Sequence, residues 1–348
     1  MRSYALESGR AVARSGLSRP LIAAAAAALL CVFLSLFCAG PVMAAPWYSD
    51  VSFVDSQHGW YSGVRLGGAV RMWRTSDGGR TLKELPARYS GAGAGGPICV
   101  TFISREVGIW WGFFGPALLR TTDGGMRWGP VAWPNLIVPI GVAFADATTG
   151  WATSMEIRLP DGGGEIARTT DGGATWNAVR VTGVGFYYGP ASPSPEYCYV
   201  LGDGAQRGLW ATSDGGSSWR MRALPGIDVN QWFGTPMAFP AELTGWLAGA
   251  NGTIFKTTDG GESWTRQSSG THQYLNALEF VDARYGWAVG GRGTILATRD
   301  GGAHWRRQSS GTTAGLEAAD FVDRLHGWAV GGKVRLRTTD GGKTWKKL

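Results

Sequence analysis

The sequence predicts an all-β protein, a seven-bladed β-propeller of four-stranded antiparallel blades that follows an N-terminal signal segment. The phrase Thr-x-Asp-Gly-Gly-x-x-Trp, with small variations, occurs seven times, and its Asp residues are separated by 46, 48, 43, 45, 41 and 40 positions. A repeat of about 40–45 residues is the length of one four-stranded propeller blade. The repeated acids, here called the Asp boxes, are Asp77, Asp123, Asp171, Asp214, Asp259, Asp300 and Asp340.

The first 44 residues are predicted to be a signal peptide. Four arginines precede an apolar run from Leu21 to Phe37, and Val42-Met43-Ala44 provides small residues for a signal peptidase. We expect cleavage after Ala44, which makes the protein exported, periplasmic or extracellular. The apolar run is long enough to span a bilayer, so a retained anchor is the alternative. Residues 46–348 are then a single propeller domain, because a propeller closes only when all its blades are present.

Charge and cysteine content exclude several function classes. The first 45 residues contain four Arg and one Glu; subtracting these from 33 and 26 leaves 29 Lys and Arg against 25 Asp and Glu. This balance is too mild for a nucleic-acid binder. Cys99 and Cys198 are predicted to lie two blades apart, beyond the ~6 Å that a disulfide allows between Cα atoms. The four histidines have no metal-ligand spacing, so neither a metal nor a cofactor is expected.

The sixth repeat shows the four strands of a blade, which we call A to D in chain order. Asn276–Asp282 alternates apolar and polar residues, which indicates strand A. Strand B is predicted at Gly286–Gly290, strand C at Thr294–Thr298 and strand D at His304–Gln308. Glycine-rich turns separate B from C and C from D, which is typical of hairpins.

Three phrases mark equivalent positions in most repeats. Phe-x-Asp ends strand A, Gly-Trp opens strand B, and the Asp box joins strands C and D. The box Asp is expected to accept hydrogen bonds from backbone N–H groups of its own turn. Its glycines permit positive φ, and the Trp after the box is predicted to lie on strand D and pack between sheets.

Blade geometry assigns the connections to two faces. Face one carries the A–B turns and the Asp boxes, whereas face two carries the B–C turns and the links between blades. The connections of face two are irregular in sequence, and variable loops on a rigid scaffold are where binding usually occurs. We therefore predict a partner-binding surface on face two, formed by the basic residues Arg65, Arg71, Arg158, Arg207, Arg292, Lys333 and Arg335. Solvated turn charges are the alternative interpretation.

The repeats resemble bacterial neuraminidase (Asp-box) repeats. The combination Phe-Val-Asp, Gly-Trp-Ala-Val-Gly-Gly and Thr-x-Asp-Gly-Gly-x-x-Trp is similar to the photosystem II assembly and stability factor family of seven-bladed propellers. The resemblance covers residues 47–348 and is strongest in the last three repeats. It implies a monomeric scaffold that binds another protein, such as a membrane or envelope protein, and that is not an enzyme.

Chemical alternatives have local explanations in the sequence. Asp55, Asp146, Asp282 and Asp323 occupy one repeated position, so turn formation is favoured over a glycosidase pair. A basic residue precedes five of the boxes, at Arg74, Arg120, Arg168, Lys256 and Arg337, and repetition favours a packing role. Trp110, Trp111, Trp133 and Trp232 are left as aromatic residues that could face a ligand. A carbohydrate-active hydrolase and a carbohydrate-binding propeller remain the rival functions.

Overall fold

The computed structural model describes residues 46–65, 70–86, 99–112, 118–132, 138–155, 164–179, 186–203, 207–224, 226 and 236–348. The predicted signal peptide lies outside these residues. The described chain forms seven consecutive four-stranded antiparallel units, as predicted, and two single turns of 3₁₀ helix at Ala250–Gly252 and Gly291–Gly293. Across these ranges no helix has the length and apolar character that crossing a membrane requires.

Each blade contributes four strands that are consecutive in the chain. Blades 1 and 2 contain β1 (Trp47–Phe53), β2 (Gly59–Val64), β3 (Val70–Thr75), β4 (Lys83–Glu84), β5 (Cys99–Phe102), β6 (Gly108–Trp111), β7 (Leu118–Thr121) and β8 (Gly129–Pro130). Blades 3 and 4 contain β9 (Val138–Phe144), β10 (Gly150–Met155), β11 (Ile166–Thr169), β12 (Asn177–Val179), β13 (Phe186–Ala191), β14 (Cys198–Asp203), β15 (Gly208–Thr212) and β16 (Arg220–Arg222). Blades 5 to 7 contain β17 (Met237–Ala238), β18 (Gly245–Ala248), β19 (Ile254–Thr257), β20 (Thr265–Gln267), β21 (Leu275–Phe280), β22 (Gly286–Gly290), β23 (Thr294–Thr298), β24 (Arg306–Gln308), β25 (Ala318–Phe321), β26 (Gly327–Gly331), β27 (Val334–Thr338) and β28 (Lys346–Lys347).

The A strands are the innermost strands of the ring. Strand β1 packs against β5 of the next blade and against β25 of the last blade, and the other A strands contact their neighbours in the same way or through strand B. Blades 3 and 4 are also joined by one antiparallel residue pair, Met155 with Phe186. Between blade 7 and blade 1 the ring closes by packing and by a backbone bridge, in which the Tyr48 N–H donates to the Gly332 carbonyl at 2.7 Å.

The Gly-Trp and Phe-x-Asp phrases are coupled by contact inside each blade. In blade 1, Phe53 pairs with Gly59 across strands A and B, and its ring lies over the glycine. A Cβ built on Gly59 would approach that ring to 2.4 Å, so no larger residue fits. The same contact occurs in blades 2, 3, 5, 6 and 7. The two phrases are thus one packing unit.

In blades 1, 3, 5, 6 and 7 a strand B tryptophan joins the blade to the next one. Trp60 of blade 1 is fully buried and stacks on Phe102 of blade 2, with ring centroids 3.6 Å apart. Its indole N–H donates to the Gly124 carbonyl in the Asp box of blade 2, at 3.0 Å. Trp328 makes equivalent contacts with Phe53 and the Gly78 carbonyl across the ring closure. The phrases therefore specify both a blade and its neighbour.

The Asp boxes have the predicted internal geometry. In blade 3 the Thr175 N–H donates to Asp171 Oδ1 at 2.9 Å, and the Thr169 hydroxyl donates to the same oxygen at 2.8 Å. Both glycines of every box have positive φ. Desolvation raises the pKa of Asp171, but hydrogen bonds donated by the turn outweigh it and lower the pKa to about 2. The main donors are the Thr175 hydroxyl and N–H.

Two sequence-based expectations need correction. The box Trp immediately precedes strand D, because Trp305 is followed by β24, which begins at Arg306. It does pack between sheets as predicted, since Trp305 lies edge-on to Phe280 of its own blade and shares a core cluster with Trp246 of the preceding blade. Trp110 and Trp111 are 1 % and 7 % exposed and belong to the core, so they do not face a ligand. Trp133 and Trp232 lie outside the described residues.

Candidate partner-binding surface

The structure separates the two faces as predicted. In every blade the first glycine of the Asp box donates its N–H to a carbonyl of the A–B turn in the same blade. Gly78 with Gln57 in blade 1 and Gly341 with Leu325 in blade 7 are examples, at 2.8 and 3.0 Å. The A–B turns and the boxes therefore form one continuous surface, face one. The B–C turns and the links between blades form face two.

The repeated Phe-x-Asp acids of face one accept hydrogen bonds from backbone N–H groups of their own A–B turns. Asp146 Oδ1 accepts the N–H groups of Thr148 and Thr149 at 2.7 and 2.6 Å, and Asp323 accepts those of Leu325 and His326. Hydrogen bonds lower the pKa of Asp146, chiefly from the Thr149 N–H. Asp55 and Asp282 make equivalent bonds, so turn formation accounts for all four.

The basic residues before the boxes pack between blades, as their repetition indicates. The Arg74 guanidinium lies 5.3 Å from the centre of the Trp60 ring, and equivalent cations cover Trp151, Trp246 and Trp328. Arg120 Nε donates to the carbonyl of Gly172 in the next blade at 2.8 Å. These five residues stabilise the scaffold and do not form a free cationic ring.

A groove of about 680 Å³ lies on face one between blades 6 and 7. Its wall includes Tyr285, Leu325 and three carboxylates, Asp282, Asp323 and Asp340. Asp282 pairs with Arg324 at 2.8 Å, Asp323 contacts His326, and Asp340 is bonded inside its box. A pair of free carboxylates, which a hydrolase needs, is therefore lacking in this groove among the described residues.

On face two, Arg65 and Arg71 share a carboxylate that the sequence reasoning did not consider. Glu84, on strand D of the same blade, lies 2.8 Å from Arg65 and 3.3 Å from Arg71. These arginines are therefore partly neutralised before any partner arrives. Arg158 lies outside the described residues, and Arg207 is exposed just before β15.

Arg335 has a structural position between blade 7 and blade 1. Its Nη1 donates to the Gly79 carbonyl at 2.8 Å, and its guanidinium lies 5.3 and 5.4 Å from the ring centres of Tyr48 and Tyr61. These contacts place Arg335 at the junction that closes the ring and leave few of its guanidinium N–H groups for a ligand.

Arg292 and Lys333 are the clearest exposed cations of face two. Both occupy B–C turns, at the centre of Gly291–Gly293 and beside Gly332. Within the described ranges neither side chain makes a hydrogen bond or an ion pair. Arg292 has φ 54°, the left-handed conformation that Asn251 also adopts at the corresponding turn of blade 5.

Comparisons with known proteins agree with this architecture. A family model described as photosynthesis system II assembly factor YCF48 matches residues 184–272 and 267–348. The photosystem II assembly lipoprotein Ycf48 of Synechococcus sp. (strain CC9902) is 26% identical over 273 residues, which cover 67% of this chain and 78% of that protein. A solved structure titled YCF48 bound to D1 peptide covers 86% of this chain and 95% of its own, with TM-score 0.64 and 21% identity. YCF48 from Cyanidioschyzon merolae covers 88% and 98%, with TM-score 0.63 and 20% identity.

The chain is a seven-bladed β-propeller that is similar to photosystem II assembly factors. The resemblance expected from the repeats is thereby confirmed, together with the seven-bladed fold. The family-model match falls on the later repeats, where the phrases of this assembly factor-like chain are most regular.

The sequence reasoning missed three acids on the inner strands of this assembly factor-like propeller. Asp50 accepts the N–H of Val51 at 2.9 Å and that of Val100, in the next blade, at 2.8 Å. Asp320 accepts the Phe53 N–H across the ring closure. Burial raises the pKa of Asp50 and of Asp320 to about 7, and burial also raises that of Glu279. Polar residues within alternating strand A patterns were the available signal.

The two cysteines are unpaired, as the sequence predicts. Cys99 and Cys198 are free thiols on β5 and β14, and burial raises the pKa of both. Over the described ranges, no group of three or more His, Cys, Asp or Glu side chains is arranged to hold a metal ion.

The reasoning also missed the basic residues of the outermost strands. Strand D of blades 4 to 7 carries six exposed cations, whereas β8 and β12 of blades 2 and 3 carry none. The six residues are Arg220, Arg266, Arg306, Arg307, Lys346 and Lys347. The signal was present in the residues that directly follow each box Trp, which the sequence analysis placed on strand D without considering their charge.

Proposed function

We propose that the chain is an exported, non-enzymatic scaffold that binds a segment of another protein through face two. The observation that carries this proposal is that the repeated charged positions of face one serve turns and blade contacts, whereas the B–C turns of face two vary between blades and present cations in only some of them. On face one, the repeated acids and the cations before the boxes are engaged in turns and blade contacts. On face two, Arg292 and Lys333 are exposed and unpaired among the described residues.

The charge of face two favours a partner segment that carries carboxylates. Arg292 and Lys333 stand in the B–C turns of adjacent blades and would attract such a segment and fix its position. Arg207 extends this basic surface, and Arg65, Arg71 and Arg158 are its remaining candidates. Arg335 supports the surface from within instead of contacting the partner.

The family supplies the class of partner. A relative with this fold is described as bound to D1 peptide, and the Synechococcus relative is named as an assembly lipoprotein. By analogy, the partner proposed for this chain is an exposed peptide of a membrane or envelope protein, held during assembly by a monomeric propeller. The proposed mature chain follows cleavage after Ala44 and carries the propeller in residues 46–348.

A titration with a fluorescently labelled D1 peptide tests the proposal. The variant Arg292→Glu/Lys333→Glu reverses two exposed cations of face two. The control Arg299→Glu/Lys343→Glu reverses two exposed cations of face one and has the same net charge. We expect the first variant to weaken binding roughly tenfold or more and the control to bind within about twofold of the unmodified chain. Equal losses in both variants, or unchanged binding in the first, would contradict the assignment of face two.

A further inference from the structure

The cations of the outer strands form an arc around one side of the propeller. In blades 6 and 7, register places Arg306 opposite Ala297 and Lys347 opposite Leu336. Ala297 and Leu336 pack in the same cluster between these blades, so Arg306 and Lys347 flank the outer end of one interface. In blade 4, Arg220 pairs with Ala211, which belongs to the cluster between blades 4 and 5. The arc therefore extends across four consecutive blades.

Acids do not compensate this arc within the described residues. Each of the six cations is exposed, and none makes an ion pair with a described carboxylate. The nearest acids in sequence interact with other residues. Glu262 forms an ion pair with Arg222 at 2.9 Å, and Asp300 accepts a hydrogen bond from the His304 N–H within its box. Gln267 and Gln308 end β20 and β24 and donate to box carbonyls of the next blade. The arc keeps its full positive charge.

Protection of sheet edges explains only part of this pattern. Charged residues on outer strands prevent pairing between molecules, but proline serves the same purpose. Blade 2 ends its outer strand with Pro130, and blade 3 uses Asn177-Ala178-Val179. Blade 1 adds one exposed cation on its outer strand, Lys83, so six of the seven exposed cations on the described D strands lie on blades 4 to 7. A general need for edge protection would not concentrate them in this way.

Apolar and hydroxyl groups accompany the cations. Met221 lies between Arg220 and Arg222 and is 46% exposed, and Tyr274, in the link from blade 5 to blade 6, is 47% exposed. A shallow recess of about 750 Å³ beside Arg307 is lined by Gly293, Gln308 and residues 309–313, which supply Ser and Thr side chains and no acid. Exposed apolar groups beside cations and hydroxyls suit the boundary between lipid headgroups and acyl chains.

We propose that the outer arc of blades 4 to 7 docks the propeller on an anionic bilayer surface. The cations attract anionic headgroups, Met221 and Tyr274 enter the interface, and the recess beside Arg307 accepts a phosphodiester group. A planar anionic surface can meet cations on four blades at once, whereas a single acidic peptide would have to cross all four outer strands. The outer strands lie apart from Arg292 and Lys333, whereas Tyr274 and the recess lie at the edge of face two beside Arg292. Docking in this way would leave face one accessible, and the proposal rests on the outer-strand cations, not on the proposed partner site.

Cosedimentation with vesicles tests the bilayer proposal. The unmodified chain is mixed with vesicles of phosphatidylcholine alone or with 30 mol% phosphatidylglycerol, a composition chosen on the order of natural anionic content. The arc variant carries Arg266→Glu, Arg306→Glu, Arg307→Glu and Lys347→Glu. The control reverses four exposed face-one cations of equal total charge, Arg80→Glu, Arg127→Glu, Arg299→Glu and Lys343→Glu. Circular dichroism melting curves establish that each variant is folded.

We expect binding to the anionic vesicles only. Each cation near an anionic surface contributes about fivefold to partition, so the arc variant should lose roughly 100-fold or more, while the control loses much less. Met221→Ser should lower partition severalfold, and higher salt should weaken binding by the unmodified chain. Equal binding to neutral vesicles, or equal losses in arc variant and control, would overturn the proposal. Binding to a polyglutamate peptide without binding to anionic vesicles would also overturn it and assign the arc to an acidic protein.

Discussion

The contacts of two buried tryptophans provide a matched test of the bond between blades. Trp60 and Trp246 are both fully buried, and both stack on a Phe of the next blade, with ring centroids 3.6 and 3.8 Å apart. A cation lies 5.3 Å from the Trp60 ring centre and 5.1 Å from that of Trp246. The main difference is the indole N–H. That of Trp60 donates to the Gly124 carbonyl, whereas that of Trp246 has no partner among the described residues.

Replacement of each tryptophan by phenylalanine should therefore have unequal effects. Both variants retain an aromatic ring and leave a void of similar size, so the packing loss largely cancels in the comparison. Trp60→Phe also leaves a buried carbonyl without its donor, which costs about 1–3 kcal/mol. Trp246→Phe removes an N–H group that was already unsatisfied. We expect the free energy of unfolding to fall by about 1–3 kcal/mol more for Trp60→Phe.

Equilibrium unfolding in urea, followed by tryptophan fluorescence and far-UV circular dichroism, measures this difference. Coincident transitions from the two probes are the control for a cooperative unfolding reaction. Trp328→Phe, which loses a 2.9 Å bond to the Gly78 carbonyl, should behave like Trp60→Phe. Equal destabilisation of Trp60→Phe and Trp246→Phe, or a larger loss at Trp246, would refute the assignment of the hydrogen bond.

Further predictions concern the inner acids, the ring closure and the boxes. Asp50 has a pKa of about 7 in the fold and about 4 in the unfolded chain, so the free energy of unfolding should fall by up to a few kcal/mol as the pH rises from 4 to 7. Asp50→Asn should reduce this pH dependence in thermal melts. An unchanged pH dependence in the variant would contradict the role of Asp50. Arg335→Lys keeps the charge but loses the planar guanidinium contacts, so it should cost about 1–3 kcal/mol in urea unfolding, against under about 0.5 kcal/mol for the exposed control Arg292→Lys. Gly341→Ala forces φ of +72° and places a Cβ 2.7 Å from a carbonyl, so its melting temperature should fall well below that of Gly129→Ala, where the space is open. Similar melting temperatures would show that the box tolerates the side chain.

The repeated parts of the fold could be predicted from sequence because each phrase has a local cause. Strands B and C of blade 6 have the predicted bounds, Gly286–Gly290 and Thr294–Thr298. Strand A was placed at Asn276–Asp282 but spans Leu275–Phe280, because Asp282 belongs to the turn that it caps. Asp-box geometry followed from glycine conformation and from the hydrogen-bonding capacity of Asp.

The candidate site was predicted less well because it depends on contacts between distant residues. Arg335 was assigned to face two by its place near a B–C turn, yet its hydrogen bond crosses 256 positions of sequence. Glu84 was overlooked as the partner of Arg65 because it lies on a different strand of the blade. Trp110 and Trp111 were left as candidate ligand contacts because no repeated phrase accounts for them, yet they lie on a strand whose residues are all buried. Sequence periodicity predicts the strand position of a side chain, whereas its charged partners are determined by contacts between strands and blades in the closed ring.

Hydrogen exchange followed by mass spectrometry, with and without saturating D1 peptide, tests the central claim most directly. If face two binds the partner, peptide addition should slow exchange in the B–C turns of blades 6 and 7, at residues 291–293 and 332–333. Exchange in the seven Asp boxes of face one should remain the same. Slower exchange in the boxes or in the A–B turns, with the B–C turns unaffected, would contradict the claim and assign recognition to face one.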